Sequence, residues 1–370
     1  MTRRKYEELQ ERLFKECAAI EREILDTISK RFDITADVTP ENVYGWYTDM
    51  LMQTGAVNTD ARRIINKHSA EISALAQDSL HEYVNYYLLR DEGVYRAAFA
   101  RGFLVTIPTT IENSARLQQV YRQSGRFISQ YLNVTNTTAL QSARKKYVDI
   151  LNKAYAHVVT GSRSYTYAIS NACRQMYASG ITGMNYISPK GTRTSISLEA
   201  GIRRCIITTS SQATGMMQME RAQEWGCNHV EVSSHFGARP SHAEWQGAVY
   251  QIEGSSQDYP NLADSTDYLT VSGLKGINCT HEIYPYIPGF SEQRFHPYDK
   301  EANARQYQKL QGQRGIKREI RDWKQQVAGA KTAEDKAFAQ RKVREKQAKM
   351  RSYVESTGVT RHYDREQVLR

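Results

Sequence analysis

Apolar residues recur at helical spacing along the first half of the chain. The clearest stripe lies between residues 3 and 31 and consists of Tyr6, Leu9, Leu13, Cys17, Ile20, Ile24 and Ile28. Its intervals of three and four residues match the turn of an α-helix, and the opposite face is polar. This segment is therefore predicted to form one amphipathic helix that needs a packing partner.

Further periodic segments extend the helical pattern. A Thr-Pro start near residue 40 predicts a second helix, and residues 58–60 are predicted to cap a third that runs to about residue 90. Additional helices are predicted over residues 92–104, 111–132, 137–159 and 161–179, and Gly180 is expected to end the last one. Residues 1–180 are therefore predicted to form an all-helical domain.

The pattern changes after residue 180. Residues 185–191 indicate a turn, residues 198–224 predict a helix closed by Gly226, and strands are predicted over 192–197, 229–234, 249–252 and 276–288. These elements predict a small α+β module with a short sheet over residues 181–290. Helical patterns return over 299–328 and 331–356, with charge on all sides, in a basic helical tail over 291–370. The predicted fold class is α+β.

Composition narrows the class of protein. The chain has 370 residues, of which 40% are hydrophobic, and this modest apolar content favours an elongated or assembly-dependent protein. No apolar run is long enough for a membrane-spanning helix, and the start lacks a secretion signal. The five scattered cysteines argue against a disulfide scaffold and favour a reducing compartment.

Positive charge is concentrated in the last fifth of the chain. The net charge is +10, and residues 299–370 hold 19 Lys+Arg against 10 Asp+Glu, a net charge of +9. Such a tail can follow the phosphate backbone of double-stranded DNA without reading its sequence; the alternative is a solvated helix whose charge only keeps it soluble. The candidate DNA contacts are Lys317, Arg318, Arg321, Lys324, Arg341, Lys342, Arg344 and Lys346.

Histidines and cysteines are concentrated between residues 227 and 281. Cys279 and His281 alternate on a predicted strand and can leave it on the same face, while His235 and His242 flank a Gly-Pro turn. One thiolate with three imidazoles is a plausible tetrahedral zinc shell. The alternative is that these four side chains are buried packing and hydrogen-bonding groups. The sequence therefore requires no cofactor, and zinc is the one cofactor that it suggests.

The same residues also allow a catalytic interpretation. Cys279 would be the nucleophile, His242 or His281 the base, and Glu244 or Asn278 the group that orients the base. The local sequence matches no known nucleophile signature, and the chain contains no phosphate-binding loop, dinucleotide-binding motif or HExxH zinc motif.

Two sequence windows carry a family resemblance. The first is His-x-Gly-Ala-Arg-Pro-Ser-His-x-x-Trp-Gln-Gly from residue 235, and the second is Gly-x-x-Gly-x-Asn-Cys-x-His-x-x-x-Pro-x-x-Pro-Gly from residue 273. Together they resemble the minor capsid protein (type 2) of tailed bacteriophages, a group similar to phage Mu F-like head morphogenesis proteins. The residues that carry the resemblance are His235, Gly237, Arg239, Pro240, His242, Trp245, Gly247, Gly276, Asn278, Cys279, His281, Pro285, Pro288 and Gly289.

The resemblance implies a structural role and no defined reaction. It implies a virion component in the head interior or near the portal, assembled in the bacterial host cytoplasm, that assists head assembly and genome packaging or delivery. The expected partners are the portal protein, the major capsid or scaffolding protein and, through the basic tail, DNA. The competing hypothesis is a metal-dependent hydrolase, either a nuclease or a peptidase, that acts in head maturation or when DNA enters the host.

Overall fold

The computed structural model describes residues 3–187 and 191–368. Within these residues lie ten α-helices: α1 Arg3–Lys30, α2 Val43–Met52, α3 Thr54–Ala100, α4 Ala115–Val159, α5 Tyr165–Ser179, α6 Leu198–Glu224, α7 Pro240–Ala243, α8 Leu262–Thr266, α9 Lys300–Ala328 and α10 Ala333–Thr357. The strands are β1 Thr182–Ile187, β2 Arg193–Ser197, β3 His229–Val232, β4 Val249–Gln251 and β5 Ile283–Tyr286. The α+β class with a helical N-terminal region is confirmed.

Two helices are much longer than predicted. The segments expected at 60–90 and 92–104 are both part of α3, so the predicted cap at residues 58–60 is wrong. The segments expected at 111–132 and 137–159 are likewise joined within α4. The hydroxyls of Thr59 and Thr137 donate to the carbonyls four residues earlier, at 3.2 and 3.0 Å. A threonine bonded in this way stays inside a helix instead of starting one.

The central sheet is antiparallel, with the strand order β4-β3-β5. Val230 of the middle strand lies opposite Tyr250 on one side and Pro285 on the other. Pro285 lacks an N–H donor and is tolerated because β5 is an edge strand. The predicted strand over 276–288 is wrong in its first half: Lys275 and Asn278 have φ of 61° and 57°, which interrupts an extended chain, and only Ile283–Tyr286 pairs.

A second, two-stranded sheet follows α5. Strands β1 and β2 form an antiparallel hairpin in which Tyr186 lies opposite Thr194. The predicted strand at 192–197 is therefore confirmed, while the turn expected over 185–191 is wrong for residues 185–187, which belong to β1. Residues 188–190 of that expected turn lie outside the described residues.

The described chain divides into two compact units, and the first consists of residues 1–11, 74–130 and 203–310. It contains the three-stranded sheet, whose buried side packs Val230, Val232 and Ile283 with Leu262 and Leu274. A second apolar cluster is built around Trp225 and Tyr95, whose rings stack with their centroids 5.8 Å apart.

A buried ionic network also lies in the first unit. Arg221 is 1% exposed and binds Glu92 through two parallel contacts of 2.9 Å. The indole N–H of Trp225 donates to the same carboxylate at 3.1 Å. Arg221 also donates to Glu224 at 2.6 Å and to the carbonyl of Thr109 at 2.8 Å. These bonds replace the water that both charges lose on burial.

The second unit consists of residues 12–73, 131–202 and 311–370. The predicted stripe of α1 is buried here from Leu13 to Ile28, with Cys17 and Ile20 fully inaccessible. The tail helices are not charged on all sides as expected, because Ile316 and Ile320 of α9 pack with Met350 of α10. Within this unit the tail contacts α5 as well, where Arg174 lies 3.4 Å from Asp335.

The unit boundaries fall inside helices, so each unit is assembled from three separate parts of the chain. The division into 1–180, 181–290 and 291–370 stays a prediction about independently folding segments. None of the described helices is both long and apolar enough to cross a lipid bilayer.

Candidate functional site

The first motif window forms a tight turn followed by one turn of helix. Arg239 is extended, with φ −61° and ψ 153°, as a residue before proline prefers. Pro240 then occupies the first turn of α7, which carries His242. The Arg239 guanidinium donates from Nε to His242 at 2.6 Å and from Nη1 to the carbonyl of Ile277 at 3.2 Å. The side chain thereby connects the two motif windows.

Asn303 fixes the turn from the other side. It is 1% exposed, and its Oδ1 accepts the backbone N–H groups of Gly237 and Ala238 at 2.8 and 3.0 Å. Its Nδ2 donates to the carbonyl of Ala238 at 2.8 Å. Sequence reasoning missed this residue, because it lies in α9, more than 60 positions from the turn, within a segment that looks merely charged.

Two motif glycines are required by close backbone approach. Gly247 has φ 72°, and a Cβ there would lie 2.4 Å from the carbonyl carbon of His296. A Cβ on Gly276 would lie 2.2 Å from the carbonyl oxygen of Thr270. Neither position can hold a side chain without a shift of backbone, which accounts physically for glycine at both.

His242, Cys279 and His281 come together in the interior of the first unit. Their ligand atoms all lie within 4.8 Å of one another, and the three residues are 2%, 6% and 1% exposed. The Nδ1 atoms of His242 and His281 are 3.2 Å apart, and Cys279 Sγ lies 3.7 Å from His281 Nδ1. Cys279 and His281 precede β5 instead of lying on a strand, so the expected strand alternation is not what brings them together.

His235 lies beside this cluster but outside it. Its ring stacks on that of His281 with centroids 3.9 Å apart, and its Nε2 lies 3.0 Å from Thr280 Oγ1. The structure thus brings together three of the four predicted metal ligands, with His235 as a neighbour. Trp245 covers the cluster, with its ring centroid 4.4 Å from that of His242 and 4.8 Å from that of His281.

Burial keeps both clustered imidazoles neutral. It lowers the pKa of His242 to about 4, and the adjacent Arg239 charge acts in the same direction. It lowers the pKa of His281 to about 2, with the neighbouring histidines contributing. Gln246, 1% exposed, orients His281: its Oε1 lies 3.2 Å from His281 Nε2 and also accepts the backbone N–H of His235 at 3.0 Å.

The groups named for nucleophilic catalysis do not have the arrangement that a Cys279 nucleophile with a histidine base requires. Burial raises the pKa of the Cys279 thiol, whereas an activated nucleophile needs a lowered one. The Glu244 carboxylate is bound by Lys300 and not by a histidine. The residue that orients His281 is Gln246, which sequence reasoning missed although it stands within the Trp-Gln-Gly part of the motif.

The eight candidate DNA contacts lie in the second unit and differ in exposure. Arg318, Arg341 and Arg344 are exposed. Lys317 is 9% exposed, and Lys324 donates to Gln367 at 2.9 Å. The remaining three form ion pairs: Arg321 with Glu199 at 3.2 Å, Lys342 with Glu345 at 2.7 Å and Lys346 with Glu319 at 3.2 Å.

The model of the family described as phage minor capsid protein 2 matches residues 1–355 of the chain. The chain belongs to this family. Minor capsid membership confirms the resemblance carried by the two motif windows, and it makes the chain a structural protein of a phage particle.

Relatives of this minor capsid family member carry a consistent description. A structural protein of Lactococcus phage LL-H is 26% identical over 361 residues, which cover 93% of this chain and 94% of that protein. A structural protein of Lactococcus phage mv4 is 37% identical over 114 residues, 30% of this chain and 92% of that protein. No solved structure matches.

Proposed function

We propose that the protein is a minor component of the phage head that assists head assembly and genome packaging or delivery without catalysing a reaction. Its partners in this role are the portal protein, the major capsid or scaffolding protein, and the packaged double-stranded DNA. The observation that carries the proposal is the family match over residues 1–355. The structural descriptions of both relatives support it.

The segregated charge supports contact with DNA. Residues 299–370 carry +9 of the net +10, and a protein that neutralises phosphates gains affinity by releasing counterions. Arg314 and Arg318 are one helical turn apart on α9, and Arg341 and Arg344 are three residues apart on α10. All four are exposed, so each pair presents two guanidinium groups to a phosphate backbone.

Charge reversal tests the DNA contact better than removal of the tail. The tail helices supply buried residues of the second unit, including Ile320 and Met350, so their deletion would expose its interior. We expect Arg314→Glu, Arg318→Glu, Arg341→Glu and Arg344→Glu, combined, to weaken binding to double-stranded DNA. The slope of log affinity against log salt should fall by about 0.9 for each phosphate that the variant no longer neutralises.

A matched variant controls for net charge. Arg62, Arg122, Arg126 and Arg144 are exposed arginines outside the tail, and their combined change to Glu alters the net charge by the same amount. This control should keep the wild-type affinity and salt slope in a fluorescence-anisotropy titration with duplex DNA. Equally weakened binding in both variants would contradict a role for the tail, since it would show that only the total charge matters.

A further inference from the structure

Two imidazoles and one thiol converge on a single point inside the first unit. In tetrahedral zinc sites the Zn–N distance is about 2.0–2.1 Å and the Zn–S distance about 2.3 Å, which places ligand nitrogens about 3.3 Å apart and nitrogen and sulfur about 3.6 Å apart. The nitrogen pair of His242 and His281 is 3.2 Å apart, and the nitrogen–sulfur pair of His281 and Cys279 is 3.7 Å apart. Both separations match that geometry, and the ligand atoms of all three residues lie within 4.8 Å of one another.

Outer hydrogen bonds fix the orientation of both rings in the cluster. The carbonyl of Ser272 lies 2.9 Å from His242 Nε2, and Gln246 Oε1 lies 3.2 Å from His281 Nε2. Gln246 Oε1 can accept the N–H of His281 Nε2, which leaves a lone pair at His281 Nδ1. His242 Nε2 instead accepts from Arg239 Nε at 2.6 Å, with the Ser272 carbonyl as a second neighbour. Such outer partners are the usual way in which metal-binding histidines are fixed in orientation.

Two lone pairs 3.2 Å apart repel each other unless a cation or a proton lies between them. A proton fills this role here, because Arg239 Nε donates to His242 Nε2 at 2.6 Å and so favours a proton on His242 Nδ1. A metal ion at Nδ1 would require that proton to move to Nε2, where the carbonyl of Ser272 could accept it in place of the Arg239 contact.

We propose that His242, Cys279 and His281 bind one zinc ion through two imidazole nitrogens and one thiolate. On binding, the Cys279 thiol loses its proton to solvent and the sulfur–zinc bond forms, without any change of oxidation state. A thiolate with imidazoles is the ligand set that suits zinc. Lys275 is fully buried nearby, and its charge is paired with Glu282 through Nζ at 3.1 Å.

The ion fastens two segments of loop that are distant in sequence. His242 belongs to the first motif window, and Cys279 and His281 belong to the second. His281 lies 39 residues after His242 in the sequence. Three protein ligands leave a fourth position, which water fills when no other side chain does. Zinc binding here is separate from the proposed head role and does not depend on whether the chain binds DNA.

Elemental analysis of the full-length protein tests the site. The chain is produced without a polyhistidine tag in zinc-supplemented medium and purified without chelator. We expect about one zinc per chain in the wild type and a loss of at least about tenfold in Cys279→Ser, since disturbing even an outer partner costs about 10–100-fold in metal affinity. Cys227→Ser, which changes another buried cysteine of the same unit, should keep its zinc.

Two results would overturn the proposal: a wild type without stoichiometric zinc, or zinc that survives Cys279→Ser. If that variant fails to fold, cobalt replaces it as the probe in the wild-type protein. Cobalt bound here should show a thiolate charge-transfer band and the intense visible bands of tetrahedral coordination. A weak octahedral spectrum without the thiolate band would contradict the site.

Discussion

The His242–Cys279–His281 cluster and the exposed arginines of residues 311–357 in the second unit use polar groups in opposite ways. In the cluster, three side chains are nearly inaccessible and each contact depends on a specific neighbour, such as Gln246 for His281. In the tail, Arg318, Arg341 and Arg344 are exposed. A buried polar group loses its water and must find exact partners, whereas an exposed one keeps its water and tolerates substitution.

The sharpest test of this difference compares two arginines. Arg221→Met leaves Glu92 buried without its bidentate partner, and we expect unfolding free energy to fall by about 3–5 kcal/mol. Arg318→Met in the tail should change it by less than about 0.5 kcal/mol. Urea denaturation followed by circular dichroism measures both, and equal effects at the two positions would remove the contrast between buried and exposed charge.

A smaller effect is expected from pH at Glu21 of the second unit. Its carboxylate accepts the backbone N–H of Ile181 at 2.8 Å, and burial raises its pKa from 4.5 to about 7. The folded protein therefore holds a proton that the unfolded chain releases above pH 4.5. Stability should fall as pH rises from 4.5 to about 7, by about 3 kcal/mol in all, and then level off.

Glu21→Gln should remove this pH dependence, because the amide cannot ionise. The measurement is the free energy of unfolding in urea across pH 4.5–8. Glu355→Gln, at an exposed position of α10, should keep the wild-type slope. If wild type and Glu21→Gln have the same slope, the carboxyl of Glu21 is not the group responsible.

The smallest of these effects concerns the motif glycines. Gly247→Ala forces a residue with a Cβ into φ 72° against the backbone of His296, at a cost of about 1–3 kcal/mol for the backbone conformation alone. Gly93→Ala, in open space within α3, should instead stabilise by about 0.5–1 kcal/mol. Thermal melts measure the stability of both variants. A stabilised Gly247→Ala protein would contradict the packing described around the turn.

Sequence periodicity predicted the helices well but placed several ends incorrectly. The apolar stripe from Leu13 to Ile28 is buried as expected, and α6 has the predicted bounds, because one face carries the signal over many turns. Two helix starts were misplaced, because Thr59 was predicted to lie in a cap and Thr137 to begin a helix. Both hydroxyls instead donate to carbonyls four residues earlier within long helices. Helix ends depend on tertiary packing that a local window does not contain.

The sequence could predict which residues form the candidate site but not which side chains contact one another there. The motif windows identified His242, Cys279 and His281, and their spacing alone could not show that His235 stacks beside them. Asn303 could not be found from sequence, because its role depends on the position of α9 against a turn far away in the chain. Exposure likewise separates Arg318 from the buried Lys317, although the two residues are adjacent.

The proposed head role is tested most directly by cross-linking mass spectrometry of purified, DNA-filled phage particles. We predict that the chain is present in every preparation of particles and that its lysines form cross-links to the portal protein or the major capsid protein. Absence of the chain from purified particles, or cross-links to tail proteins alone, would contradict the account.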